Sequence, residues 1–424
     1  MSDTQLTDIP KGRSRPFEIY VAVSAIAFLV SYVATYVYSF YLQKMTFDSQ
    51  FHPGADFPGS LVDPAVHDPN KYNVGVHFFG DFWTTLLRTQ EASPYLVRPG
   101  VGGSSYPPFA QFLYEPLTWL PYPLALLIFL VGSTAILVIP FWRALSAYEP
   151  HIRATFIIVG IMLTYPFLFS LDRGNNVVIA TGFLLFGVLS LHEGKPKKAA
   201  TYFALAAAIK IYPVFFLLMF VSGRQWKALW RAIWVGTTLT LVPVLTYEGG
   251  LVANLKALYA NSSYFRDGGA QIALNHSLAS FLNTLSLGGF NPGGITRQLI
   301  EHYSLVVLLL VLISTLFLLA SRDDFYSIAI ACLLNTLLIP ITYGYTLTVL
   351  YPLLISLATA SGEQFLKRLI AILLALLFCA KGMPIGPAGS SLLNYLNPSI
   401  QLVILFLTFI AISHHDFSRL FTRK

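Results

Sequence analysis

The chain has 424 residues, of which 55% are hydrophobic and only 11% are charged, whereas about a quarter of the residues of an average soluble domain are charged. This composition excludes an ordinary soluble domain and predicts an integral membrane protein. The net charge of +7 does not indicate nucleic-acid binding, because Lys and Arg gather in short clusters at the ends of apolar segments. The two cysteines, Cys332 and Cys379, lie in apolar segments, which argues against a disulfide framework or a thiolate metal cluster.

Apolar segments of roughly 17 to 25 residues indicate helices long enough to cross a bilayer. About ten of them occur, at 19–42, 120–142, 154–171, 176–192, 229–247, 303–320, 325–343, 345–360, 367–383 and 398–413. The predicted fold class is therefore an all-α integral membrane protein of about ten spans. Residues 19–413 form one predicted membrane domain between cytoplasmic tails at 1–18 and 414–424.

Loops rich in Lys and Arg face the cytoplasm. This rule assigns the basic residues of the short connections to the inner side: Arg143, Arg153, Lys195, Lys197, Lys198, Arg322, Lys367, Arg368, Arg419, Arg423 and Lys424. Asp81 and Asp172 then lie on the outer side. Two long loops, 43–119 and 248–302, share that side and are expected to fold against the membrane surface.

One apolar segment, 199–221, has basic residues on both flanks, so both of its ends favour the cytoplasm. Pro213 interrupts its middle, where it removes a helical hydrogen bond and disfavours helical geometry in the residue before it. Two half-helices of about 11 residues could enter the membrane and return. We favour this re-entrant hairpin over a single crossing, which would invert every later loop.

A short amphipathic helix is predicted in the first outer loop. Phe82, Trp83, Leu86 and Leu87 fall on one helical face, which suits a helix lying in the membrane interface. Asp81 stands at the N-terminal end of this helix. One interpretation of Asp81 is an N-cap that accepts hydrogen bonds from helical amides, and the other is a catalytic carboxylate.

Several short motifs, in order along most of the chain, resemble those of glycosyltransferase family 87, which belongs to the GT-C superfamily of polytopic enzymes. In the first outer loop they are Asp81-Phe82, Ser93-Pro94-Tyr95, Tyr106-Pro107-Pro108-Phe109 and Pro116-Leu117. Further on, Asp172-Arg173-Gly174-Asn175-Asn176 resembles the family's Gly-Gln-x-Asn-type turn, Ala208-Ile209-Lys210-Ile211-Tyr212-Pro213 its Ile-Lys-x-x-Pro segment, and Asn275-His276-Ser277-Leu278 its Asn-Gln-Ser-Leu.

The resemblance implies a GT-C-type helical bundle that moves a single sugar from a polyprenyl-phosphate donor to a hydroxyl of a lipid-linked or glycan acceptor. Mannose is the first choice of sugar and arabinofuranose the alternative. The active site would lie on the periplasmic or extracellular side of the plasma (inner) membrane. The chain departs from the family at 339–345, where several members carry a histidine pair, so a histidine-dependent contact is absent or replaced.

In this reaction the acceptor hydroxyl loses its proton as the new bond forms, and Asp81 is the candidate general base. Lys210 is the candidate cation for the donor phosphate, because an ammonium inside the bilayer is costly without a partner or a function. Its alternatives are snorkelling to the interface or pairing with Asp172. Arg173 is a second candidate for the phosphate, although its motif also suits a polar turn between two helices. Since cationic groups can stabilise the leaving phosphate, we expect a metal-independent, inverting reaction without a cofactor.

Further side chains are candidates for binding the sugar or the acceptor. Asn275, His276 and Ser277 lie in the second outer loop, where polar groups could hydrogen-bond a sugar or a phosphate; a lone histidine there is also commonly a packing residue. Three tyrosines complete the set: Tyr106, Tyr343 and Tyr345. Tyr343 and Tyr345 could stack on a sugar ring, but aromatic residues at membrane interfaces usually serve as anchors, and we favour that interpretation for them.

Two other functions stay open at the level of sequence. A transporter or flippase of lipid-linked sugars also uses broken helices and intramembrane charges, although no second broken segment matches 199–221. An outer-face ligase or polymerase of lipid-linked glycans would share the carrier but transfer whole oligosaccharides. The chain has no motif of a zinc hydrolase, a P-loop pump or a serine esterase.

Overall fold

The computed structural model describes residues 14–37, 79–96, 103–269, 275–287, 294–321, 323–360, 365–379 and 392–415. Within these ranges the regular structure is helical and no β-strand occurs, which confirms the predicted all-α class. The α-helices are Arg15–Val37, Gly80–Thr89, Pro108–Tyr114, Tyr122–Ala144, Pro150–Ile157, Tyr165–Arg173, Val177–His192, Pro196–Ile209, Leu218–Ser222, Trp226–Thr246, Gly250–Gly269, Leu278–Leu287, Ile295–Glu301, Tyr303–Ala320, Asp324–Leu337, Tyr351–Thr359, Phe365–Leu377 and Leu392–His415. Three 3-10 helices (Glu115–Trp119, Tyr212–Leu217 and Gly344–Leu350) and one π-helical turn (Ile158–Met162) join them.

Membrane-spanning helices are evident by length and composition in the described part of the chain. Four helices qualify: Tyr122–Ala144, Trp226–Thr246, Tyr303–Ala320 and Asn394–His414. The bent pair Pro150–Met162 and Tyr165–Arg173 would make a fifth if it counts as one span. Each of the other predicted segments contains a helix, but several of these are short. The total of about ten spans therefore stays a prediction, as does the division into tails and outer loops.

Two predicted spans are not continuous helices. The segment predicted at 154–171 bends by 69° between Met162 and Tyr165. A proline, Pro166, follows this bend and cannot donate the backbone hydrogen bond that a straight helix would need there. The segment predicted at 325–343 leaves the helix at Leu337, three residues before Pro340, and the chain reaches Tyr343 without regular structure.

The segment 199–221 doubles back on itself. Its first arm is the helix Pro196–Ile209, and its second arm begins at Tyr212. The ring of Phe203 lies 5.1 Å from that of Phe216 and 5.7 Å from that of Phe220, so the two arms lie side by side. Lys210 is at the turn between them. This geometry agrees with the predicted hairpin and places Lys210 at its tip.

Basic residues predicted to be cytoplasmic meet at one end of the bundle. Arg143 and Lys195 both pair with Glu193, at 2.6 Å and 2.9 Å. The backbone nitrogen of Ser14, at the start of the first helix, donates to the Tyr148 hydroxyl at 2.7 Å, close to the same end. The predicted inner positions beyond residue 415, and Arg322, lie outside the described residues.

The opposite end of the bundle holds the carboxylate singled out in the sequence. The helix Pro196–Ile209 begins beside Lys195 and runs about 21 Å to Lys210. Lys210 lies close enough to Asp81 for their charges to interact. Asp81 is therefore separated from the Glu193 cluster by the length of this helix.

The predicted amphipathic helix is present as Gly80–Thr89 and is held by its aromatic face. Phe82 is fully buried, and its ring lies 4.9 Å from Phe129, 5.6 Å from Tyr114 and 5.8 Å from Tyr122. Burying a phenylalanine side chain stabilises a structure by about 1.5–3 kcal/mol. This contact fixes the helix, and with it Asp81, against the helix Tyr122–Ala144.

The two segments predicted to be outer loops contact each other. In the second loop, the Asn261 amide donates to the backbone oxygens of Tyr95 and Ser104 in the first, at 3.1 Å and 3.0 Å. The Tyr95 hydroxyl in turn donates to the backbone oxygen of Tyr106 at 3.0 Å. The helix Gly250–Gly269 thus holds the segment that carries Tyr106.

Candidate active site

The position of Asp81 in its helix is unusual. Phe79, not Asp81, is the N-cap, and it adopts the left-handed conformation with φ of 60°. Its backbone nitrogen donates to the backbone oxygen of Asp172 at 2.7 Å, which ties the start of the helix to the end of another. A left-handed residue other than glycine costs roughly 1–2 kcal/mol. Asp81 lies in the first turn of the helix, and its carboxylate does not cap the helix.

The Asp81 carboxylate is bound by two side chains from one turn. Arg173 Nε donates to Oδ2 at 2.9 Å and Arg173 Nη2 donates to Oδ1 at 2.8 Å, a two-pronged ion pair. The Asn175 amide makes a short hydrogen bond to Oδ2 and a longer one, 3.3 Å, to the Tyr106 hydroxyl. The side chains of Asp81 and Arg173 are 17% and 13% exposed, so the pair is shielded but reachable.

Gly174 allows Arg173 and Asn175 to reach the same carboxylate. It ends the helix Tyr165–Arg173 in the left-handed conformation, with φ of 62°. A Cβ atom at this position would lie 2.6 Å from the Cβ of Phe82. The glycine therefore provides both the turn and the close approach to the helix of Asp81.

Competing effects act on the Asp81 carboxyl, which lies outside the membrane-spanning helices. Burial by itself raises its pKa, but the Arg173 charge and the hydrogen bonds from Arg173 and Asn175, with a smaller contribution from Lys210, outweigh it and lower the pKa below its ordinary value. Asp81 is therefore ionised at neutral pH. The three hydrogen bonds occupy three of about four lone-pair positions of a carboxylate, which leaves room for one further donor.

Lys210 follows the last residue of the helix Pro196–Ile209 in an extended conformation. Its ammonium lies 3.8 Å from the centre of the Tyr106 ring and interacts with the charges of Asp81 and Arg173. The residue is only 8% exposed. No residue in the described part of the chain accepts a hydrogen bond from this ammonium. Its three N–H donors are thus available to an anion.

Aromatic rings enclose Arg173. Its guanidinium carbon lies 5.2 Å from the Tyr345 ring, 5.7 Å from the Phe169 ring and 5.9 Å from the Tyr343 ring. Such contacts contribute about 0.5–2 kcal/mol each. We call Tyr343 and Tyr345 the tyrosine wall. The sequence favoured these residues as interface anchors and did not predict their contact with Arg173. This contact places both rings beside the ion pair.

Asn275, His276 and Ser277 lie in another part of the structure, where all three are fully buried. The Asn275 amide and the Ser277 hydroxyl both donate to the backbone oxygen of Pro340 at 2.8 Å. The His276 ring hydrogen-bonds to the Asn397 amide at 3.1 Å. The structure does not bring these side chains to Asp81, and their contact with sugar or phosphate stays a prediction.

Sequence reasoning missed two residues of this site as individual candidates. Asn175 appeared only as part of a motif, although it is two residues from Arg173 and binds the same carboxylate. Arg88 interacts with the charge of the Asp81 carboxylate. Its spacing of seven residues from Asp81, two turns of one helix, was a usable signal.

Together these residues form a recessed site with one held carboxylate, one buried ammonium and a cluster of aromatic rings. The arrangement can accept a proton at Asp81 and bind an anion at Lys210. In the described ranges, no group of three or more His, Cys, Asp or Glu side chains could hold a metal ion.

Comparison with known proteins identifies one family. The family model described as glycosyltransferase family 87 matches residues 105–340, which is more than half of the chain. The match includes Tyr106, Arg173 and Lys210, whereas Asp81 precedes it and the tyrosine wall follows it. No curated protein and no solved structure matches.

Proposed function

The chain belongs to glycosyltransferase family 87 and is therefore a membrane glycosyltransferase, and from this premise we propose that it transfers a single sugar from a polyprenyl-phosphate donor. The acceptor is a hydroxyl of a lipid-linked or glycan molecule on the outer face of the plasma membrane. Mannose is the first choice of sugar, with arabinofuranose as the alternative.

The observation that carries this proposal is the buried Lys210 ammonium beside an ionised carboxylate. Desolvating an ammonium costs several kcal/mol unless its charge and its donors are used. In the described residues its contacts are a tyrosine ring and the electrostatic field of Asp81, with no hydrogen-bond acceptor. A phosphate oxygen would complete the coordination, and the phosphodiester of a polyprenyl-phosphate sugar supplies one.

The chemical step follows from this placement. The acceptor oxygen attacks the anomeric carbon and forms a new C–O bond, while the bond from that carbon to the phosphate oxygen breaks. The bonding electrons leave with the phosphate, which becomes a monoester and gains negative charge that Lys210 stabilises. The acceptor proton moves to the remaining lone-pair position of Asp81. Attack opposite to the leaving group inverts the anomeric carbon.

Arg173 keeps a double role in this proposal. Two of its five N–H groups bind Asp81, which holds the carboxylate ionised and oriented. The others are available to the same phosphate. The tyrosine wall and Tyr106 would form the apolar sides of the sugar pocket, because aromatic faces suit the C–H faces of a sugar ring.

Membership of a glycosyltransferase family favours transfer over transport, so a flippase is the weaker alternative. A ligase or polymerase of lipid-linked glycans differs in the size of the transferred unit. The mass of the product distinguishes a single-sugar transferase from a ligase or polymerase. One added hexose or pentose supports the proposal, and addition of a whole oligosaccharide contradicts it.

The experiment uses the purified full-length chain in lipid nanodiscs, with radiolabelled polyprenyl-phosphate mannose or arabinofuranose and an extract of membrane glycolipids as acceptors. Lys210→Met should weaken apparent donor affinity about 10- to 100-fold, because a hydrogen bond to a charged group contributes about 1.5–3 kcal/mol. Acceptor affinity should change little. Lys256→Met, at an exposed lysine of the helix Gly250–Gly269, is the matched control.

Either of two results would overturn the proposal. One is a wild-type protein that transfers neither sugar to any lipid or glycan. The other is a folded Lys210→Met variant that binds the donor as tightly as the wild type does.

A further inference from the structure

Asn275 forms an unusually complete set of hydrogen bonds to a distant segment. Its side-chain oxygen accepts from the backbone nitrogen of Thr342 at 2.8 Å and from that of Ser277 at 3.1 Å. Its side-chain nitrogen donates to the backbone oxygen of Pro340 at 2.8 Å. The Asn394 amide donates to its backbone oxygen at 3.0 Å. Few side chains other than an amide can accept and donate in this way.

Neighbouring bonds reinforce the same segment. The backbone nitrogen of His276 donates to the backbone oxygen of Thr342 at 2.6 Å, and the Ser277 hydroxyl shares the Pro340 oxygen. The Thr342 hydroxyl donates to the backbone oxygen of Thr336 at 2.8 Å. Residues 340–342 lack regular secondary structure. These bonds therefore replace the helical hydrogen bonds that this buried stretch does not make.

The tyrosine wall begins at the next residue. Tyr343 and Tyr345 lie on the two sides of Gly344, where an added Cβ would be 2.4 Å from the ring of Tyr165. Tyr165 begins the helix that ends at Arg173. The wall is thus packed against the same helix that carries the guanidinium, with little space for either to shift.

We propose that Asn275 is a positioning residue for catalysis: it fixes residues 340–342, which hold the tyrosine wall against Arg173 and so set the pose of Arg173 on Asp81. This role differs from the direct sugar contact that the sequence predicted, and it agrees with the complete burial of Asn275. The catalytic consequence rests on the proposed function, while the effect on Asp81 does not.

The mechanism is geometric. A planar guanidinium binds a carboxylate through two parallel hydrogen bonds only when the two planes align. Rings on its faces restrict its rotation. If the wall loosens, Arg173 samples other rotamers, and the carboxylate loses part of the interaction that favours its ionised form. A larger fraction of Asp81 is then protonated at a given pH.

The test measures Asp81 directly, without turnover. A hydrophobic carbodiimide reacts with protonated carboxyl groups, and mass spectrometry of the digested protein reports the labelling rate at Asp81. At about pH 5, Asn275→Ala and Tyr345→Leu should each raise this rate about tenfold, the effect of one pH unit. Ser277→Ala, which removes one of two bonds to the Pro340 oxygen, should have a smaller effect.

Ser14→Ala is the control, because it removes a buried hydroxyl that donates to the backbone oxygen of Leu357 at the other end of the bundle. Equal labelling rates in the wild type, Asn275→Ala and Tyr345→Leu would overturn the inference. So would an equal rise in Ser14→Ala, which would indicate general loosening. If Asn275→Ala does not fold, Tyr345→Leu and Ser277→Ala decide the matter.

A sugar-transfer assay tests whether Asn275 also affects catalysis. Asn275→Ala should lower kcat by a larger factor than it raises the KM for the donor, because the main phosphate contact, Lys210, is untouched. A raised donor KM with unchanged kcat would contradict a positioning role. If the wild type transfers no sugar, the proposed function fails, and the labelling rates still decide whether Asn275 acts on Asp81.

Discussion

The guanidinium of Arg173 donates two hydrogen bonds to the carboxylate of Asp81, at 2.9 Å and 2.8 Å, across 92 positions of the sequence. The pair is mostly shielded from solvent, and Lys210 lies within range of both charges. Removing one partner of a shielded ion pair leaves an uncompensated charge, which is strongly unfavourable. The ion pair therefore links the stability of this end of the bundle to the chemistry proposed for it.

The first prediction concerns the general base. Asp81→Asn keeps the shape of the side chain but removes the proton acceptor, so transfer should fall about 10²- to 10⁴-fold. Donor affinity should change much less. The measurement is the rate of glycolipid formation in nanodiscs. Glu91→Gln, which removes a carboxylate just beyond the same helix, is the matched control and should keep most of the activity. Turnover of Asp81→Asn near that of the wild type would refute the assignment.

The second prediction concerns pH. Because the folded-state pKa of Asp81 is lowered, its ion pair contributes its full stability above the unfolded pKa of about 3.9 and loses it only as the pH falls through the lower folded value. Protonation of Asp81 should therefore not limit kcat/KM between about pH 7 and pH 5. Asn175→Ala removes one bond to the carboxylate and should move the acid limb upward. The pH profiles of kcat/KM for the wild type and for Asn175→Ala test this. An acid limb at the same pH in both proteins would contradict the prediction.

The third prediction concerns the turn that joins the site. Gly174→Ala places a Cβ 2.6 Å from Phe82 in a left-handed conformation. The substitution should destabilise the protein by about 2–5 kcal/mol, the sum of backbone strain and overpacking. Thermal unfolding in detergent measures the loss. Gly132→Ala, in the helix Tyr122–Ala144, is the matched control, because nothing lies within 4 Å of a Cβ added at Gly132. This variant should be neutral or slightly stabilising. Equal melting temperatures for the two variants would contradict the argument.

The fourth prediction concerns topology. Lys197 and Lys256 are both exposed, and the sequence assigns them to opposite sides of the membrane. In a chain whose native cysteines, Cys332 and Cys379, are replaced, Lys256→Cys should react with a membrane-impermeant maleimide added to the outside of intact cells. Lys197→Cys should react only after the membrane is opened. Labelling of Lys197→Cys but not of Lys256→Cys in intact cells would invert the proposed location of the active site. Labelling of both from the outside would contradict their assignment to opposite sides.

Local patterns were sufficient for two elements of the fold, the amphipathic helix and the turn at Lys210. The spacing of Phe82 and Leu86 predicted the amphipathic helix, and the helix Gly80–Thr89 buries both. Basic flanks and Pro213 predicted the turn at Lys210, where the two arms meet. These signals span fewer than about 20 residues and depend only on periodicity, proline geometry and the transfer of charge out of the bilayer.

The partners of the site depended on packing. Nothing in the sequence indicated that Asp81 pairs with Arg173. Nor did it indicate that Tyr343 and Tyr345 contact the Arg173 guanidinium instead of the lipid. The polar character of Asn275 was visible, but its complete burial and its hydrogen bonds to Pro340 and Thr342 were not.

The sequence by itself determined that this is a helical membrane protein, where its amphipathic helix and its hairpin lie, and which carboxylate and ammonium are candidates for chemistry. Only the tertiary structure decided that these two groups share one site, that Asp81 is held by Arg173 and Asn175, and that Asn275 binds residues 340–342. The physical reason is range. Hydrophobic periodicity and backbone stereochemistry act between near neighbours, whereas an ion pair across 92 positions exists only after several helices have packed against one another.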